Sequence, residues 1–144
     1  MNAIPPQSIS ASPSALPPAR GRVFGPPTVL VVDDDISLRT TTEMMLECLG
    51  FKTLAACNGL EALQQMERNP QVSAVLLDVL MPVMDGEETF RQMRSLWAGV
   101  PVILISGFEL GDTAKRFGEP LPDGYVQKPF SMAKLAGAVR GVIN

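Results

Sequence analysis

Short runs of consecutive apolar residues alternate along this chain with stretches in which apolar residues return every three or four positions. The first pattern reads as strands buried on both faces, the second as helices packed along one side. Thr28-Val-Leu-Val-Val, Ser73-Ala-Val-Leu-Leu and Val100-Pro-Val-Ile-Leu-Ile are the clearest runs. The pattern predicts strands over 28–33, 51–56, 73–78, 101–105 and 124–127, and helices over 36–49, 59–68, 86–96 and 131–143. Leu38, Met45 and Leu49 form one inward face, Leu60, Leu63 and Met66 a second, and Leu135, Val139 and Val142 a third. Met44, Met45, Met66 and Met93 read as core filler, because a flexible thioether fits irregular gaps. Strands alternating with helices imply a parallel sheet covered on both faces.

Two segments break the alternation. Residues 1–27 hold Pro5-Pro6, Pro13, Pro17-Pro18 and Pro26-Pro27 among Ser, Ala and Gly, with no periodic apolar pattern. Such a segment buries too little surface to offset its ordering entropy, so it reads as a disordered Pro-rich linker ahead of one domain over 28–144. Between Gly107 and Gly124, Gly111, Gly118, Pro120 and Pro122 leave room for a helix only over about 111–117. A helix that short is marginal without packing.

The chemistry lies where strands end. Asp78 closes an apolar run, where an ionisable group is costly unless it is paired or sits at the strand's end. Met81-Pro82 and Asp85-Gly86 mark the turn that follows, which puts Asp78 at the carboxyl end of its strand. Ligand sites in parallel α/β sheets collect at that edge. Capping the next helix is the plainer role, but Asp85 is better placed for it. Asp33-Asp34-Asp35 follows the first strand. Asp35 suits the cap of the helix starting near Ile36, which leaves Asp33 and Asp34 over. Were these two and Asp78 to converge, their mutual repulsion would call for a cation, and oxygen-only ligands suit a hard ion such as Mg²⁺. Ser106 and Lys128 end two further strands. A carboxylate nucleophile, a hard cation, a hydroxyl and an ammonium are the parts that phosphoryl transfer to an aspartate needs.

Composition narrows the field. The chain has no histidine, which excludes a phosphohistidine of its own, a Ser-His-Asp triad and a histidine metal site. Net charge is −3, and the first 27 residues contain Arg20 and Arg22 but no acid, so the negative charge is concentrated in the domain. That argues against nucleic acid or an anionic membrane as a direct ligand. Cys48 and Cys57 are too few for a disulfide framework and lack CxxC spacing. Cys48 reads as a small packed hydrophobe, and the pair fits a reducing cytoplasm, as does the absence of a signal peptide or transmembrane run.

Val32-Asp33-Asp34-Asp35, Leu77-Asp78-Val79-Leu80-Met81-Pro82-Val83-Met84-Asp85-Gly86, Ile105-Ser106-Gly107 and Lys128-Pro129-Phe130 together resemble the signature of bacterial two-component response-regulator receiver domains. The likeness runs from about Thr28 to Asn144 in that family's order and spacing. It implies a flavodoxin-like (βα)5 three-layer sandwich whose five-stranded parallel sheet has the order 2-1-3-4-5. It also implies Asp78 as phospho-acceptor, Asp33 and Asp34 with the backbone carbonyl of Leu80 as Mg²⁺ ligands, Ser106 and Lys128 on the phosphoryl group, and Tyr125 as an aromatic switch. Gly107 departs from the alanine frequent in the family and should loosen the loop after Ser106.

The implied partners are a histidine kinase or phosphotransfer protein as donor and an unidentified downstream protein. No enzyme activity is expected beyond self-phosphorylation from a phosphodonor and self-dephosphorylation. The chain after Lys128 suffices for one helix, so the expectation is a stand-alone relay or a receiver attached through its N-terminal linker, as in hybrid sensor kinases. Two alternatives compete. Asp33-Asp34-Asp35-Ile36-Ser37 imitates the nucleophile loop of haloacid-dehalogenase-type phosphatases, but leaves Asp78 and Lys128-Pro129-Phe130 unexplained. A degenerate receiver used only for docking would not need every phosphorylation residue.

Overall fold

β-Branched and aliphatic residues in unbroken runs pack well on a pleated surface that is covered on both sides. The computed structural model describes residues 25–79, 81, 84–107 and 121–143. Its strands are β1 (Thr28–Val32), β2 (Lys52–Ala56), β3 (Val72–Asp78), β4 (Val102–Ser106) and β5 (Gly124–Gln127). Its helices are α1 (Ile36–Cys48), α2 (Gly59–Arg68), α3 (Gly86–Leu96) and α4 (Met132–Val142). All strand pairs are parallel, in the order β2-β1-β3-β4-β5. The flavodoxin-like arrangement that the sequence implied is therefore present. The segment through residue 24, Leu80 and the short helix expected over 111–117 lie outside the described residues.

Alternate side chains of a strand point to opposite faces, and the core divides accordingly. Leu30, Val32, Val75, Leu77, Val102 and Leu104 meet Ala62 and Met66 of α2 and Phe90 and Met93 of α3. Val29, Val31, Leu76, Ile103 and Ile105 meet Leu46 of α1 and Leu135 and Val139 of α4. Central strands β1, β3 and β4 are buried from end to end apart from Ser73. Burying each Leu or Ile fully contributes about 2 kcal/mol.

Helix starts follow their caps. Asp35 accepts the Ser37 and Leu38 amides, Asn58 the Glu61 amide, Asp85 the Glu88 amide and Ser131 the Lys134 amide. Each satisfies donors that the first turn leaves open. Gly50, at φ 97°, turns the chain out of α1 in a conformation that favours glycine.

Three packing expectations are corrected. Met44 is 61% exposed, and α1 is buried instead through Thr42 and Leu46. Thr42 can be buried because its hydroxyl donates to the Leu38 carbonyl at 2.8 Å. Leu60 is exposed, since α2 turns Gly59, Ala62 and Met66 inward. A Cβ on Gly59 would collide with the Thr89 hydroxyl of α3, so the glycine lets these two helices approach closely. Cys48 is exposed rather than packed, as is Cys57. Among the described residues, no helix is long and apolar enough to cross a membrane.

Candidate functional site

Neighbouring strands β1, β3 and β4 bring their carboxyl ends to one edge of the sheet. The chain order reverses between β1 and β3, the place where parallel sheets open a crevice. An open pocket of about 370 Å³ lies there, lined by Asp33, Asp34, Asp78, Ser106 and Lys128 together with Asp35, Val79 and Gly107.

Asp78 is the last residue of β3 and only 4% exposed. The Val79 amide donates to the Ile105 carbonyl, extending the ladder one step past it. Gly86 donates back to the Val79 carbonyl and packs so tightly that a Cβ there would lie 2.7 Å from the carbonyl oxygens of Asp78 and Val79. The glycine in the Asp85-Gly86 turn thus lets α3 begin directly behind the acid.

Asp33 follows β1 and is 1% exposed. Its amide donates to the Ala56 carbonyl and its Oδ1 accepts the Asp35 amide at 2.9 Å. Its Oδ2 lies 4.0 Å from Lys128 Nζ. Asp34 is exposed beside it. Oxygens of Asp33, Asp34 and Asp78 all lie within 4.8 Å of one another. An octahedral Mg²⁺ with bonds of about 2.1 Å spans roughly 3 to 4.2 Å between its ligand oxygens. The three carboxylates fit such an ion after a small contraction or with water completing the shell.

Ser106 ends β4, 5% exposed, and Lys128 follows β5. The Lys128 amide donates to the Ser106 carbonyl at 2.7 Å, which ties the two together at the pocket wall. Lys128 Nζ stands 3.4 Å from Asp78 Oδ1. Among the described residues, both its ion pairs are longer than the 2.7–2.9 Å of a tight charge-assisted hydrogen bond. The ammonium therefore offsets carboxylate charge and is still able to shift toward another anion.

The structure thus assembles five of the residues singled out from the sequence: Asp33, Asp34, Asp78, Ser106 and Lys128. Leu80 lies outside the described residues. Tyr125 does not line the pocket; it packs on the side of the sheet covered by α2 and α3. Its buried hydroxyl has no hydrogen-bond partner among the described residues, and burial raises its pKa above the usual 10.0.

A model of the response regulator receiver domain matches residues 29–140. The chain belongs to that family. The receiver is 35% identical over 118 residues to the transcriptional regulatory protein PrrA of Mycobacterium tuberculosis, covering 82% of this chain and 50% of that protein. It is 32% identical over 121 residues to the sensor kinase CckA of Brucella abortus, covering 83% of this chain and 13% of that protein. Among solved structures it resembles the Vibrio cholerae chemotaxis protein CheY4, with a TM-score of 0.73 and 28% identity over 82% of this chain and 99% of that one. It spans about half of the first of these sequence relatives and a smaller part of the second.

Receivers of this family work in two-component signalling, and the phosphatase alternative is displaced. Sequence reading overlooked one contributor. Arg39, on the first turns of α1, reaches back so that Nη1 donates to the Asp33 carbonyl at 2.7 Å. An arginine six residues beyond an acid is no motif; only the cap at Asp35, which folds the chain back, brings them together.

Proposed function

We propose that this receiver accepts a phosphoryl group on Asp78 from a phosphohistidine of a partner histidine kinase or phosphotransfer protein. The observation that carries the reading is the placement of a nearly buried strand-end carboxylate with Asp33, Asp34 and Lys128 all within ion-pair or metal-ligating distance. An oxygen of Asp78 attacks phosphorus, the phosphorus–nitrogen bond breaks, and the electron pair leaves on the partner's imidazole. Lys128 follows the transferred group by exchanging its Asp78 contact for a phosphoryl oxygen, and the Ser106 hydroxyl donates to another. Asp33 and Asp34, with Asp78 and the Leu80 carbonyl, would hold Mg²⁺, which when bound neutralises the acids and draws charge from the phosphoryl oxygens.

One further feature supports a protein donor. An apolar groove of about 430 Å³, lined by Leu38 and Met45 of α1 and by Pro129 and Phe130, meets the acid pocket at Lys128. A partner seated there would present a group within reach of Asp78. Such a donor places the domain in the cytoplasm. On this reading Tyr125 senses the shift of Ser106 and relays it to a downstream protein, and residues 1–27 serve as the linker.

Incubation with acetyl phosphate and Mg²⁺, followed by intact mass, tests the proposal. One phosphoryl group should be gained, and Asp78→Asn should abolish the gain while the domain still folds. A phosphorylated Asp78→Asn protein would move the acceptor to another carboxylate. No gain in the wild type would favour a docking role.

A further inference from the structure

Asp34 poses a positioning problem. It is the exposed member of the acid trio, and an exposed side chain on a connecting turn has many directions available to it. Its neighbours do not. Asp33 is anchored through its amide to the Ala56 carbonyl and through Oδ1 to the Asp35 amide. Asp35 is anchored through Oδ1 to the Ser37 and Leu38 amides, and its carbonyl accepts the Arg39 amide at 2.9 Å. Between these anchors lies the Asp33–Asp34 peptide, which sets the backbone from which the Asp34 side chain departs. Its carbonyl is the group that Arg39 Nη1 holds at 2.7 Å.

Resting on the metal reading above, we infer that Arg39 is a positioning residue: it pins the Asp33–Asp34 peptide and thereby keeps Asp34 aimed at Asp33 and Asp78. The guanidinium bonds a backbone oxygen rather than a carboxylate, so its contribution is directional. A purely electrostatic role predicts the opposite effect on the metal. A cation beside three acids competes with Mg²⁺, and its removal would tighten binding. Loss of an outer partner that orients a ligand weakens binding, typically by tenfold or more.

The sign of the change therefore decides. Arg39→Met keeps much of the length and volume but has no donor, whereas Arg39→Lys keeps the charge and one donor. Mg²⁺ affinity should be followed by calorimetric titration of the unphosphorylated proteins. Exchange of the Asp35 amide, which reports the Asp33–Asp35 turn directly, should be followed by NMR without metal. Arg39→Met should bind Mg²⁺ about tenfold more weakly and exchange the Asp35 amide faster, with Arg39→Lys recovering part of both. Should Arg39→Met fail to fold, Arg39→Lys alone must still show the weaker binding. Affinity that rises or stays equal in a folded variant overturns the positioning role while leaving the metal site intact. A wild type that takes up no Mg²⁺ overturns the metal reading itself and this inference with it.

Discussion

The two edges of the sheet treat charge in opposite ways. At the amino-terminal edge, Arg94 of α3 pairs with Asp123 at 2.5 Å and donates to the carbonyls of Val100 and Leu121, while its guanidinium lies over the Phe90 ring. Asp123 also accepts the Val102 amide at 2.8 Å. Charges of opposite sign are matched there, and the bonds tie α3 to the starts of β4 and β5. At the carboxyl edge three carboxylates gather around one ammonium, which stands at 3.4 and 4.0 Å from two of them. One edge closes the fold, and the other gathers an excess of negative charge that suits a cation. Sites that bind or react commonly give up stability in this way.

If the comparison is right, damage to the closed edge should cost stability and spare the chemistry. Asp123→Ala leaves a largely buried guanidinium without its partner and the Val102 amide without an acceptor. Unfolding free energy should fall by about 2 kcal/mol, seen as a lower denaturant midpoint with an unchanged slope. Mg²⁺ affinity and phosphorylation of Asp78 should not change. A variant that lost metal binding in proportion to stability would show that the two edges are not independent.

The open edge should respond in the reverse sense. Asp34→Asn removes one like charge from the trio, so the metal-free protein should melt slightly higher than wild type, while Mg²⁺ affinity drops by about tenfold. Wild-type melting should rise with millimolar Mg²⁺ because the ion binds only the folded arrangement. Melts with and without the ion check both signs. A wild-type midpoint indifferent to Mg²⁺ would mean that Lys128 already balances the pocket.

This contrast was half legible in the sequence. The open edge announced itself, because a carboxylate at the end of Ser73-Ala-Val-Leu-Leu and three acids after Thr28-Val-Leu-Val-Val are costly anywhere except at a strand end facing a ligand. The closed edge did not. Asp123 beside Gly124 reads as an ordinary turn residue, and its pairing with Arg94 across 29 positions arises only once α3 is laid against the sheet. Helix faces failed for a related reason. Hydrophobicity ranks Met44 and Leu60 above Thr42 and Gly59, yet a hydroxyl satisfied by its own helix and a glycine facing Thr89 take the inward places. Apolar counts do not register local hydrogen bonds or close approach.

Tyr125 lies between the edges, on β5 opposite Leu104, and supplies the smallest expected effect. Its buried hydroxyl has no partner among the described residues, so Tyr125→Phe should be neutral or stabilising by less than about 1 kcal/mol near neutral pH. Burial raises the phenol's pKa above 10.0 in the folded protein, so the fold favours the protonated form. The stability linked to that proton is complete below the unfolded value near 10 and is lost as pH rises through the higher folded value. Wild type should therefore weaken faster than Tyr125→Phe above about pH 10, with parallel curves below it. Denaturation at pH 7 and across the alkaline range distinguishes the two. Phosphorylation of Asp78 should be the same in both, since the ring is outside the pocket. If Tyr125→Phe instead loses stability at pH 7, the hydroxyl has found a partner, and its place as a group free to respond to the site is lost.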